Sequence, residues 1–148
     1  MTLARGAGCL MLLAVTAATA EPPPDELAPL RARLAKARPT LAVDCWIPAA
    51  CHLGGDFDGD GRADVAALVR EVGGQQRKGI AVMTAKKSLA LAGAGTPVGA
   101  GGADFDWMDA WRVERAGATD GLVVERTESA SGLLTLKAGK LRWRQLGD

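Results

Sequence analysis

The chain of 148 residues has no tyrosine, two phenylalanines, and a single histidine, His52. With one imidazole and no phenol, general acid and base chemistry is left to carboxylates and amines. Neither sign of charge dominates: 18 Lys+Arg stand against 17 Asp+Glu, a net charge of +1. Nucleic-acid binders ordinarily carry a basic excess or stripe, so no nucleic-acid partner is expected. No apolar run approaches the ~20 residues that cross a bilayer. The phosphate-cradling G-x-x-x-x-G-K-[ST] and the nucleophile turn G-x-S-x-G are both missing. What remains is 48% hydrophobic and 24% charged, enough to bury a core and too apolar for global disorder. One domain is the default at this length.

The N-terminus pairs one basic residue, Arg5, with a short apolar run, Gly6 to Val15, and ends in the small residues Ala18-Thr19-Ala20. This is the pattern of a Sec-type secretory signal peptide over residues 1–20, cleaved after Ala20. A retained membrane anchor is the alternative, but no stop-transfer pattern follows. Cys9 comes too early, behind Gly6-Ala7-Gly8, for a lipid-attachment cysteine. The expected location is periplasmic or secreted. Arg5 is the only charge removed, so the remainder carries as many basic as acidic side chains. No polybasic patch or second long apolar run remains for stable membrane insertion.

Export leaves Cys45 and Cys51 in an oxidising compartment. Their C-x5-C spacing differs from the C-x2-C of zinc and thioredoxin-like sites, and His52 alone cannot complete a zinc set. A structural disulfide is therefore expected rather than a metal or redox pair.

Residues 21–40 read as a proline-rich spacer followed by a short amphipathic helix. Pro22, Pro23 and Pro24 forbid regular helix, Asp25 can cap, and Leu27, Leu30, Leu34 and Ala37 share one stripe until Pro39. Residues 41–148 read as one β-rich domain. Strands are expected at 64–71, 80–84, 88–91, 109–114 and 122–126, with Thr119-Asp120-Gly121 a turn and Gly93 to Gly102 a flexible loop. A hairpin pairs 134–137 with 140–144 through Ala138-Gly139, placing Leu134, Leu136, Leu141 and Trp143 on one side and Lys140, Arg142 and Arg144 on the other. The expected class is mainly β, α+β: a small antiparallel sheet or barrel-like domain with one N-terminal helix.

Residues 56–64 read Asp56-Phe57-Asp58-Gly59-Asp60-Gly61-Arg62-Ala63-Asp64, which is D-x-D-x-D-G-x-x-D. Four carboxylates at positions 1, 3, 5 and 9 repel one another unless a cation sits among them. Ca²⁺ takes six to eight oxygens, and this spacing supplies them from Asp56, Asp58, Asp60, the Arg62 carbonyl and Asp64, with Gly61 allowing the sharp turn. Mg²⁺ fits less well because it dehydrates reluctantly. An EF-hand would need a glutamate at position 12, where Ala67 stands, and a following helix, where Val65 to Val69 looks like a strand. The alternative is a solvated acidic turn without an ion. Gly54 to Val69 resembles the calcium loop of FG-GAP and VCBS-type repeats. The resemblance implies a Ca²⁺ held by those five residues and a strand that belongs to a propeller blade. It covers one unit only, where a propeller needs at least four blades.

Weaker constellations surround this motif. Asp104, Asp106 and Asp109 form an acidic-aromatic cluster with Phe105 and Trp107, expected as a loop whose tryptophan plugs the core. Trp46, Trp107, Trp111 and Trp143 are expected in or near the core, and would form a sugar or peptide surface if two were exposed together. Ser129 and Ser131 look like turn residues. Glu114, Glu125 and Glu128 could serve as acid or base, with nothing to fix their geometry. The expected function is an exported calcium-binding domain, its Ca²⁺ structural, acting as a non-enzymatic module toward a protein or glycan partner in the cell envelope. The alternatives are a calcium-dependent hydrolase of cell-envelope polymers and edge-to-edge assembly.

Overall fold

A computed structural model describes residues 25–147. The expected signal peptide, Cys9 and the Pro22–Pro24 spacer lie outside the described residues. Helix α1 runs Ala28–Ala37 and is followed by β1 (Leu41–Val43), β2 (His52–Gly55), β3 (Asp64–Glu71), β4 (Lys78–Met83) and β5 (Leu89–Gly93). A 3₁₀ turn at Gly99–Gly101 leads to β6 (Ala110–Ala116), β7 (Thr119–Arg126), β8 (Ala130–Lys137) and β9 (Lys140–Gly147). The structure is mainly β, with two antiparallel sheets and one short helix, and neither sheet closes into a barrel.

Sheet A has the order β1-β3-β4-β5, with β2 also paired to β3; sheet B is the meander β6-β7-β8-β9. Between the sheets pack Leu68, Ile80 and Val82 from one side and Leu122, Val124 and Leu134 from the other, with Phe57, Phe105 and Trp111 among them. The opposite face of sheet A carries Ala67, Val69, Ala81 and Met83 and is covered by Leu30 and Leu34 of α1. Strands β3 and β4 are thus buried on both faces, which is why they read as continuous apolar runs. Asp25 accepts the Leu27 amide at 3.0 Å, and Pro29 falls in the first turn of α1, where its missing N–H is not needed.

Strands β1 and β2 pair in succession with the same edge of β3, Val43 opposite Val69 and His52 opposite Ala67. Both are corrections to the sequence reading, which has no strand there. Between them the chain leaves the sheet and returns. At the neck the Asp44 amide donates to the Leu68 carbonyl (3.0 Å) and the Leu68 amide donates to the Cys51 carbonyl (3.1 Å). The expected Cys45–Cys51 disulfide closes this neck, with the Cα atoms 4.8 Å apart. The loop it encloses sends Ile47 into the core, and its Ala50 carbonyl accepts Trp111 Nε1 at 2.6 Å. The disulfide therefore fastens a segment that bridges the sheets. Reducing it at constant calcium is expected to lower stability by about 2 kcal/mol, or roughly 6 °C in melting temperature. Melting with and without a phosphine reductant checks this, and unchanged midpoints would contradict it.

The hairpin forms as expected. Ala138 and Gly139 both have positive φ, 49° and 75°, as a two-residue turn of matching twist requires. Leu134 faces Trp143, and Leu136 faces Leu141. The Trp143 ring lies over Gly132, where a Cβ would come within 2.1 Å of it. Two further readings are corrected. Thr119-Asp120-Gly121 is the start of β7, since the ladder continues to Ala116 opposite Thr119 and Gly117, at φ 70°, takes the turn. The Gly93–Gly102 segment is pinned: Gly93 and Thr96 exchange two backbone hydrogen bonds, and Gly101 is buried against Trp143.

Candidate metal centre

Loop 56–64 joins β2 to β3, and the ladder pair Gly55–Asp64 closes its base. Asp56 and Asp64 are thereby brought side by side at the two ends. Asp64 is 4% exposed. Its Oδ2 accepts the Phe57 and Asp58 amides at 2.8 and 3.3 Å, and its Oδ1 accepts the Ala85 amide at 2.8 Å. Asp56 accepts the Gly59 and Gly61 amides, both at 2.9 Å. Those glycines sit at φ 76° and 80°, the left-handed region that side chains avoid. Phe57, at the second loop position, is 2% exposed and inserts between the sheets.

Asp56, Asp58 and Asp64 each offer a carboxylate oxygen, and the three lie within 4.8 Å of one another. Oxygens sharing one hard cation at 2.3–2.6 Å must lie within about 5.2 Å of each other, so this cluster fits a metal ion. Loss of solvent, followed by the negative charges of Asp64 and Asp60, raises the Asp58 carboxyl above its usual range. A cation removes that cost. Asp60 stands outside the three-oxygen cluster. It accepts the Arg62 amide at 2.8 Å and Arg62 Nε at 3.1 Å, with Lys86 Nζ at 4.0 Å. The Arg62 amide first, then the Arg62 side chain, hold its carboxyl below the usual range.

Sheet B supplies a residue that sequence reading missed. Asp120 Oδ2 accepts the Asp56 amide at 2.8 Å, and the Asp120 amide donates to the Asp56 carbonyl at 2.9 Å. This reciprocal pair clamps the first loop position, and Arg115 lies 3.3 Å from the other carboxylate oxygen. Nothing in the local T-D-G sequence signals a role at the loop. The Asp56 amide, with help from Arg115, lowers the Asp120 carboxyl below its usual 3.8. A carboxylate lowered on folding adds stability above its unfolded pKa, and that share is lost as pH falls through the folded value. In EDTA the melting temperature is therefore expected to fall below about pH 4, and Asp120→Asn is expected to flatten that fall. Asp58, being raised, acts in the opposite sense. An unaltered slope in the variant would contradict the clamp.

The other constellations are held in hydrogen bonds, ion pairs and aromatic packing. Asp104 accepts the Lys78 and Asp106 amides, and Asp106 pairs with Lys78 at 2.6 Å. Asp109 accepts the Thr127 amide and hydroxyl, both at 2.9 Å. These three aspartates, with Arg126, line an open cavity of about 610 Å³. Lys78 lowers the Asp106 carboxyl and Thr127 lowers that of Asp109, so neither is set up as a proton donor. His52 sits at the surface 3.2 Å from Glu26, and Arg112 engages Glu114 and Glu125. Trp107 and Trp143 pack on Phe105 and on each other, and Trp111 is buried; they form no exposed aromatic platform.

No family model, curated protein or solved structure matches the chain.

Proposed function

We propose that loop 56–64 binds Ca²⁺ and that the chain is an exported, non-enzymatic binding module whose fold the ion stabilises. The observation that carries this is the convergence of Asp56, Asp58 and Asp64 within 4.8 Å, in a loop whose glycines and backbone amides already hold it curled. Asp60 and the Arg62 carbonyl complete the ligand set by the 1-3-5-7-9 spacing. All donors are hard oxygens, which suits Ca²⁺, and a set of this size suits it better than Mg²⁺. The loop runs into strand β3, as in FG-GAP and VCBS-type units. Both β2-β3-β4-β5 and β6-β7-β8-β9 have the strand order of a propeller blade. Export is read from residues 1–20. In the acidic cavity beside Trp107 the Asp106 and Asp109 carboxyls are both lowered, so the hydrolase reading gains no support from them.

Calcium titration of the metal-free chain by calorimetry tests the site. One site is expected, with a Kd of about 10⁻⁴–10⁻³ M, weaker binding of magnesium, and no binding by Asp58→Ala. Absence of binding at 10 mM CaCl₂, or equal binding by the variant, would overturn the proposal.

A further inference from the structure

The cations without carboxylate partners are not spread evenly. Arg31, Arg62, Arg70, Arg77, Lys78, Arg112 and Arg115 each have an acidic partner within 3.3 Å. Among the described residues ten form no such pair; Lys36, Lys86, Lys87 and Arg126 are four of them, and the other six, Arg33, Arg38, Lys137, Lys140, Arg142 and Arg144, line two grooves around the β8–β9 hairpin and the end of α1. A groove of about 560 Å³ between α1, β5 and the hairpin turn is lined by Arg33, Arg38, Lys140 and Arg142 over Leu91 and Leu141. A second groove, about 790 Å³, is lined by Lys137, Arg142 and Arg144, with Arg115 at its far end. Arg142 lines both, so the grooves adjoin at this side chain. Neither is lined by a carboxylate.

Alternation along β9 explains the spacing. Lys140, Arg142 and Arg144 are exposed on one face and repeat every second residue, about 7 Å apart. Arg33 is tethered over the β4–β5 turn, donating to the Lys87 carbonyl at 3.1 Å. A concave surface lined by one sign of charge concentrates the opposite charge, and arginine forks match planar or tetrahedral anions in two-point contact.

We propose that these two adjoining grooves bind an extended acidic polysaccharide. Regularly spaced cations suit regularly spaced anions on a linear chain. Single-stranded nucleic acid would call for exposed aromatic platforms, and Trp143 is instead packed on Trp107 and Phe105. An anionic membrane would call for protruding apolar side chains, and among the described residues the large exposed ones are only Val72 and Leu146. The proposal names a partner class for the binding module and rests on that part of the reading above, not on the ion.

The test measures binding of the folded, oxidised chain to heparin, to neutral dextran of similar length, to duplex DNA and to phosphatidylserine vesicles. Each is measured in CaCl₂ and in EDTA. Heparin is expected to bind most tightly, to weaken with added salt, and to lose at least ten-fold in affinity in Lys140→Glu/Arg142→Glu and in Arg38→Glu. Arg126→Glu, the same charge change as Arg38→Glu but outside the grooves, is expected to bind as wild type does. Melting temperatures of the exposed-site variants confirm folding. Dextran binding as tightly as heparin, an equal loss in Arg126→Glu, or tighter binding to DNA or vesicles would overturn the proposal. The same samples report the calcium-dependent melting shift. Loss of that shift with Arg142-dependent heparin binding intact removes the ion alone, and the reverse removes the glycan alone.

Discussion

Asp64→Ala is expected to destabilise the protein by about 3 kcal/mol even in EDTA, roughly 10 °C in melting temperature. Its two oxygens accept three backbone amides, from Phe57, Asp58 and Ala85, in a site only 4% exposed. Alanine leaves those donors facing a void. Asp58→Ala gives the contrast. Its carboxylate accepts one amide, that of Asp60, at 3.2 Å, and it is crowded by like charges. Its removal in EDTA is expected to cost less than about 1 kcal/mol, while removing the response to calcium. The pair separates framework from ion ligand at one centre. Equal losses in EDTA, measured by urea or thermal unfolding, would show that the two aspartates are not divided in this way.

Phe57→Ala is expected to have an effect of similar size, about 3–5 kcal/mol. Phe57 belongs to the acidic loop by sequence and to the inter-sheet core by position. Removing the ring opens a cavity in the core that the two sheets share, and unpins the loop from beneath. Calcium affinity is expected to fall with stability, because Asp56 and Asp58 flank the ring on either side in sequence. Calorimetric titration of Phe57→Ala beside Phe57→Leu checks this. A variant that lost stability and kept the wild-type Kd would show that the core and the ion site are uncoupled.

Local chemistry made much of the fold legible in the sequence. The leucine stripe of α1, the apolar run of β3 and the Ala138-Gly139 hairpin each depend on residues a few positions apart. Strands β1 and β2 were not legible. They are three and four residues long, and what makes them strands is a shared edge of β3 that the disulfide loop interrupts. Asp120 was hidden for the same reason, since its bond to the Asp56 amide spans 64 positions. Asp56, Asp58 and Asp64 were legible as a cluster because a loop of nine residues leaves them few other arrangements. Asp60 shares their spacing and is drawn aside by Arg62, two residues on. The Gly93–Gly102 segment read as an open loop because its constraint, the Trp143 ring, comes from a strand more than forty residues further along.

An ion at Asp56, Asp58 and Asp64 is proposed to stabilise this fold. The most direct test is thermal unfolding of the oxidised chain in 10 mM CaCl₂ and in EDTA, for wild type and Asp58→Ala. A Kd of about 10⁻⁴–10⁻³ M predicts a gain of about 1.4–2.7 kcal/mol for wild type, or roughly 5–10 °C, and loss of most of that gain in the variant. Midpoints that calcium moves in neither protein, or moves equally in both, would contradict the account.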